Sequence, residues 1–358
     1  MLFSIWIVLY MVNLVLICQA KVWDEVQALI DKSSLDDCAF LVGDRYHDSA
    51  LFTYSKGKLT LDSQMDVWSA SKWLTAATIL KLVETGYMSL DDTPSRYLSW
   101  WTNDPNDQRA HITLEQLLSQ TSGLENHTRL DAVTPDASDA CCSDPSYTLD
   151  QCAKLVYQHN NPPLHQPGTS FAYGRNHWQI IGAMAVQATN RSSWNEVFQQ
   201  ATTSLNLTFG DSLNIWFPVE NPSLGGGIHT SGNSYAKFLK AYYLNEFLST
   251  SSTDIIEADH TLPGVVNQTY SPLQDWGYES HYGLGNWLEC PHNSLKCVPN
   301  LMHSSLGAAG FYPFIDRGSD YYAILVVNGR ARTSFELGVS MQPAITKAVF
   351  ELRSQRTS

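Results

Sequence analysis

The chain has 358 residues, 44% of them hydrophobic, which is enough apolar material for one large core or a core with an inserted region. Acidic residues outnumber basic ones 35 to 22, a formal charge of -13 that on average repels phosphate backbones and anionic lipid surfaces. A nucleic-acid partner is therefore not expected.

Residues 1–20 form an apolar run ending in Cys18-Gln19-Ala20, whose outer small residues suit a signal peptidase, followed at once by the charged stretch KVWDE. A cleaved leader is expected, with a mature domain over 21–358 in a secreted or lumenal compartment. The run is almost long enough to span a bilayer and lacks a basic start, so an uncleaved N-terminal anchor is the alternative, and the only membrane contact expected. After a short helix near 23–33, residues 38–46 and 49–59 read as two apolar strands joined by His47-Asp48. A helix is expected from Ser69 to Glu84, burying Leu74, Ala77, Leu80 and Val83 and stopping at Gly86.

From about Pro94 to Tyr243 the pattern is helical and loop-rich, with periodic segments at 112–124, 149–159, 177–189, 193–205 and 231–244. Strand signals return at 281–290, 307–316 and 320–329, and a long helix is expected over 335–355. Strands at both ends around a helical middle imply an α/β (α+β) fold: one antiparallel sheet built from both chain ends, flanked by helices, with an α-helical insertion over roughly 94–243.

Of seven cysteines, Cys18 falls in the leader, which leaves Cys38, Cys141, Cys142, Cys152, Cys290 and Cys297, an even set for an exported chain. Cys290 is expected to pair with Cys297, and Cys152 with Cys141 or Cys142. His292 lies between Cys290 and Cys297, but a fourth metal ligand is not evident, and no cofactor is expected. Sequons at Asn126, Asn190, Asn206 and Asn267 fit a glycoprotein.

The chemistry centres on Ser69-Ala70-Ser71-Lys72. Residues three apart share a helix face, so the Ser69 hydroxyl and the Lys72 amine can meet, and the Ser69 amide sits at the positive end of the helix dipole. A neutral lysine there can take the serine proton and activate the hydroxyl for acyl transfer, provided its surroundings lower a free pKa of about 10.4. Ser71 lies on another face, so Ser71→Ala is expected to leave labelling of the nucleophile largely intact. Ser-x-x-Lys occurs often by chance, and alone the motif favours a capped helix with a solvated lysine.

The stretch SASKWLTAATILKLVETGYMSLDD resembles the serine penicillin-recognising hydrolases, in the branch of class C β-lactamases, low-molecular-weight penicillin-binding proteins and related esterases. The resemblance runs from about Ala39 to Val349 and includes ITLEQLLSQTSGL, PGTSFAYGRNHWQIIGAMAVQATN, LGGGIHTSGNSYAKFL and HSSLGAAGFYPFID. It implies Ser69 as nucleophile, Lys72 as its base and Tyr173 as the proton relay to the leaving group.

Two departures bear on substrate. The family's Tyr-x-Asn appears as Tyr173-Gly174-Arg175-Asn176, so Arg175 stands at the asparagine position and Asn176 one residue later. Arg175 is then a candidate for holding a substrate carboxylate or for supplying a positive field to Tyr173, with a solvated arginine at a helix start as the alternative. The family's Lys-Thr-Gly or His-x-Gly appears as His303-Ser304-Ser305-Leu306-Gly307, with His303 as the counterpart of the basic residue and the Ser305 to Gly307 backbone as the second oxyanion donor. A histidine is less constantly charged than a lysine, which weakens recognition of an anionic group.

A nucleophile elbow at Ser305 fails because its histidine must follow it in the chain, and none occurs after His303. No His-Glu-x-x-His cluster favours a zinc hydrolase. The expectation is a serine hydrolase that forms an acyl-enzyme with a small ester, amide or peptide, akin to an esterase or D-amino-acid peptidase, or a weak β-lactamase. The alternative is a non-catalytic lumenal binding protein that retains the fold.

Overall fold

A computed structural model of the chain describes residues 21–124, 141–142, 144–205, 219–262, 264–289 and 302–355. In chain order, helix α1 (Asp24–Lys32) leads into strands β1 (Cys38–Gly43) and β2 (Phe52–Lys56), then the short β3 (Met65–Asp66) and helix α2 (Ser71–Glu84). The helical middle contains α3 (Leu114–Leu118), α4 (Leu149–His159), strand β4 (Ser170–Ala172), α5 (Asn176–Thr189), α6 (Trp194–Thr202), β5 (His229–Thr230), α7 (Gly232–Tyr243) and α8 (Thr250–Glu257). Then come β6 (Asn267–Tyr270), α9 (Pro272–Asp275), β7 (Ser280–Tyr282), β8 (Trp287–Glu289), β9 (Met302–Ser304), β10 (Tyr312–Asp316), β11 (Tyr321–Val326) and α10 (Ala331–Ser354).

Seven strands form one antiparallel sheet in the order β2-β1-β11-β10-β9-β8-β7, so the two chain ends meet where β1 pairs with β11. Phe40 lies opposite Leu325, and Leu41 opposite Ile324. Successive side chains leave opposite faces of a strand. Accordingly Leu41, Ile324 and Val326 enter a core shared with the helical middle, while Phe40, Ala323 and Leu325 enter a second core under α1 and α10. Both faces of β1 and β11 are covered, which is why those strands read as unbroken apolar runs.

Capping chemistry sets the helix starts. Thr113 with Gln116 and Thr148 with Gln151 form reciprocal capping boxes at α3 and α4, and Ser231 caps α7.

Three elements differ from the sequence expectation. Helix α2 begins at Ser71, after a 3-10 turn over Trp68–Ala70, and residues 71–80 are buried all round because the sheet covers one side and the helical middle the other. Val83, expected inside, is half-buried. Residues 281–290 were expected as one strand, but β7 and β8 form a hairpin that turns where Gly283 N donates to Asn286 O at 2.9 Å. Strand β9 and helix α8 fall where no element was expected.

Cys152 pairs with Cys141 rather than Cys142, with Cα atoms 5.4 Å apart. The Cys142 sulfur lies 3.9 Å from that of Cys152. Cys38 is buried and outside any disulfide. Cys290, Cys297, the leader, and the sequons at Asn126 and Asn206 lie outside the described residues, whereas Asn190 and Asn267 are exposed. No described helix is long and apolar enough to cross a membrane.

Candidate active site

Ser69 stands on the 3-10 turn that joins β3 to α2. Trp68, just before it, has a φ of +48, a left-handed conformation that costs a non-glycine residue about 1–3 kcal/mol. That turn swings the chain from strand into helix within one residue and leaves the Ser69 amide in the first turn, where the helical ladder supplies no acceptor.

Lys72 is 1% exposed, and its Nζ lies 3.0 Å from Ser69 Oγ. Nζ also donates to the Gly225 carbonyl at 2.7 Å and sits 4.8 Å from the centre of the Tyr173 ring. The first turns of α2 grip the segment 224–228 at three points. Thr75 Oγ1 donates to Leu224 O at 2.9 Å, Lys72 holds Gly225 O, and Ile228 N donates to Ser71 Oγ at 3.1 Å. Ser71 is therefore a buried structural contact. A β-carbon on Gly225 would come 2.9 Å from Trp178 and 3.3 Å from Lys72 Nζ, so the close approach requires glycine.

Tyr173 follows β4, which pairs in parallel with β6. Its ring stacks on Trp287 at 4.9 Å and meets Tyr282 edge-on at 5.9 Å. Burial pushes its phenol well above the ordinary tyrosine value, while side-chain contacts with Ser69 and Trp287 pull it down; the net rise keeps the group protonated at neutral pH. His177 is fully buried, with Nδ1 2.9 Å from Ser122 Oγ. Burial lowers its pKa to about 3, so it is a neutral strut whose ring also contacts the Ala172 backbone.

The other expected substrate contacts divide. Arg175 is half-buried at the N-cap of α5, where its carbonyl accepts from Trp178 N at 3.1 Å. Asn176 is 1% exposed and its Oδ1 accepts from Cys142 Sγ at 3.6 Å, turning it inward. His303 is also turned inward: it is fully buried, with Nδ1 3.1 Å from Asn286 Nδ2 and Nε2 3.4 Å from the Glu257 carboxylate. Asn176 and His303 thus both carry internal hydrogen bonds. The pattern after β9 explains this, since alternate side chains of the run 302–306 enter opposite sides of the sheet.

Within that run, Ser305 N donates to Pro313 O at 3.2 Å and Gly307 N donates to Phe311 O at 2.8 Å. Both of these amides thus already donate within the protein. Ser305 Oγ instead donates to the Ser69 carbonyl at 3.0 Å, tying the nucleophile turn to the sheet. A β-carbon on Gly307 would lie 2.3 Å from the Val67 carbonyl, which makes Gly307 a packing requirement. The sequence reading missed Gly225, Trp178 and Trp287; the run Gly225-Gly226-Gly227 was the visible sign of close backbone approach.

Among the described residues, one cluster has metal-ligand spacing, Cys141, Cys142 and Cys152, and two of its sulfurs are joined in the disulfide.

The chain matches the family model described as Beta-lactamase over residues 41–339 and belongs to that family. A Bacteroides dorei protein, described provisionally as a β-lactamase, is 28% identical, with 92% of this chain and 98% of that one covered at a TM-score of 0.71. EstCE1, described as a hydrolase with promiscuous acyltransferase activity, shares the fold at 18% identity, covering 93% of this chain and all of its own at a TM-score of 0.72. Protein flp of Staphylococcus aureus strain N315 is 27% identical over 161 residues, which span 43% of this chain and only 30% of that relative.

Proposed function

We propose that the protein is an exported serine hydrolase that cleaves a small ester or amide through an acyl-enzyme on Ser69. The observation that carries this reading is the buried Lys72 amine 3.0 Å from Ser69 Oγ, held there by the Gly225 carbonyl. A neutral amine can donate one hydrogen to Gly225 O while its lone pair accepts the Ser69 hydroxyl proton. Ser69 Oγ then bonds to the substrate carbonyl carbon, and the oxyanion forms between the Ser69 and Leu306 amides, an arrangement in which each donor is worth about 100- to 1,000-fold in rate.

Tyr173, protonated at neutral pH, gives its proton to the leaving oxygen or nitrogen as that bond breaks, and regains one from Lys72. Water, deprotonated by the same groups, attacks the acyl carbon and frees Ser69. Arg175 stands where the family has its asparagine and is assigned to a substrate carboxylate, while a histidine at 303, less constantly charged than a lysine, favours esters and peptides over antibiotics that need a fixed positive group beside β9. Export is supported by the apolar run 1–20, the Cys141–Cys152 disulfide and the exposed Asn190 and Asn267.

A fluorophosphonate probe tests the reading. The adduct should map to Ser69, and Ser69→Ala should lose both labelling and hydrolysis of p-nitrophenyl butyrate. An adduct on Ser71 or Ser305, or full turnover by Ser69→Ala, overturns the mechanism. A folded wild-type chain that never labels points to a binding protein instead.

A further inference from the structure

The backbone that carries Tyr173 is held at three successive amides. Ala172 N donates to the Gln120 carbonyl at 3.1 Å, Tyr173 N to the Tyr270 carbonyl at 3.1 Å, and Gly174 N to Oε1 of the Gln120 side chain at 2.6 Å. One residue therefore grips the chain on both sides of the tyrosine, once with its backbone and once with its carboxamide.

Gln120 is poorly matched to its own position. It lies just past the end of α3 with a φ of +58, where glycine or asparagine is the ordinary choice. It is also completely buried, where an apolar side chain would avoid the loss of hydration. A side chain kept against both preferences is explained by the hydrogen bond it makes, and that bond goes to Gly174.

We propose that Gln120 is a positioning residue for Tyr173, fixing where the phenol meets Ser69 and the leaving group. The proposal rests on the role given to Tyr173 above. Losing the Gly174 anchor frees one side of the tyrosine, and a displacement near 1 Å of a proton donor can cost roughly 100-fold in rate. Because Tyr173 acts on the leaving group, the loss must be larger for a leaving group that needs protonation than for one that does not.

The test compares ethyl butyrate with p-nitrophenyl butyrate, which share an acyl group and differ in the leaving group. Gln120→Met keeps side-chain length and removes the acceptor. It should lower kcat for the ethyl ester roughly 10- to 100-fold with KM changed less than about twofold, and slow the p-nitrophenyl ester much less. In a Tyr173→Phe background the same substitution should have no further effect, since its route to the chemistry is gone. Gln120→Glu, which retains an acceptor for Gly174, should recover most of the loss. If Gln120→Met does not fold, Gln120→Asn suits the left-handed backbone yet is too short to reach Gly174, and it carries the same expectation. Wild-type rates in these variants, equal slowing of both esters, or additive losses with Tyr173→Phe would overturn the proposal. Full activity of Tyr173→Phe on both esters would overturn the role of Tyr173 itself, and this proposal with it. A slow Tyr173→Phe beside an unimpaired Gln120→Met would sink the Gln120 inference alone.

Discussion

Glu289→Gln should remove a large part of the pH dependence of stability. Glu289 is the last residue of β8, opposite Met302 of β9, and its carboxylate is buried. It accepts from the Ser304 hydroxyl and, at 2.7 Å to each oxygen, from the Tyr312 phenol, and Gln342 also contacts it. These partners are neutral. Burial outweighs them and raises the pKa from 4.5 to about 7.

A folded pKa above the unfolded one means that the stabilising contribution is fully present below about pH 4.5 and is lost as pH rises through about 7. At about 1.4 kcal/mol per pH unit, the rise from 4.5 to about 7 amounts to a loss of about 3 kcal/mol. Glutamine has the same shape and no charge, so the variant should gain on the wild type by up to that amount by pH 8, less about 1 kcal/mol for an imperfect hydrogen bond. The assay is urea unfolding of both proteins from pH 4.5 to 8.5, taking the difference in unfolding free energy so that all other titrations cancel. A difference that stays flat between pH 5 and 8 would refute the reasoning, because it would mean that Glu289 ionises in the folded protein as readily as in water.

Arg175→Ala should raise KM for acyl substrates bearing a free carboxylate roughly tenfold while leaving neutral esters nearly unchanged; equal effects on both would remove Arg175 from recognition. Ser71→Ala should leave the half-buried Ile228 amide without its acceptor and destabilise the fold by about 1 kcal/mol, loosening the segment that presents Gly225 to Lys72. An unchanged unfolding midpoint for Ser71→Ala would contradict that contact. Non-reducing peptide maps of chain purified from a secretory pathway should contain a Cys141–Cys152 link and an N-terminus at Lys21, and free thiols at both cysteines would overturn the export reading.

The residues that were legible in the sequence are those whose chemistry is local. The Ser69 and Lys72 spacing depends only on one helical turn, the capping boxes at Thr113 and Thr148 lie within four residues, and the apolar runs of β1 and β11 announce strands covered on both faces. The fold class followed from such signals. Tertiary structure alone decided which way side chains of the third motif face, because strand alternation is fixed by sheet register and a shift of one residue exchanges the two sides. His303 was thereby sent to Glu257 and Asn286, and Ser305 to the Ser69 carbonyl. The same holds for contacts made across long stretches of chain. Gly225 reaches Lys72 over 153 residues and Gln120 reaches Gly174 over 54, and no local period records either, since the energy of each contact depends on burial and distance that only the folded core supplies.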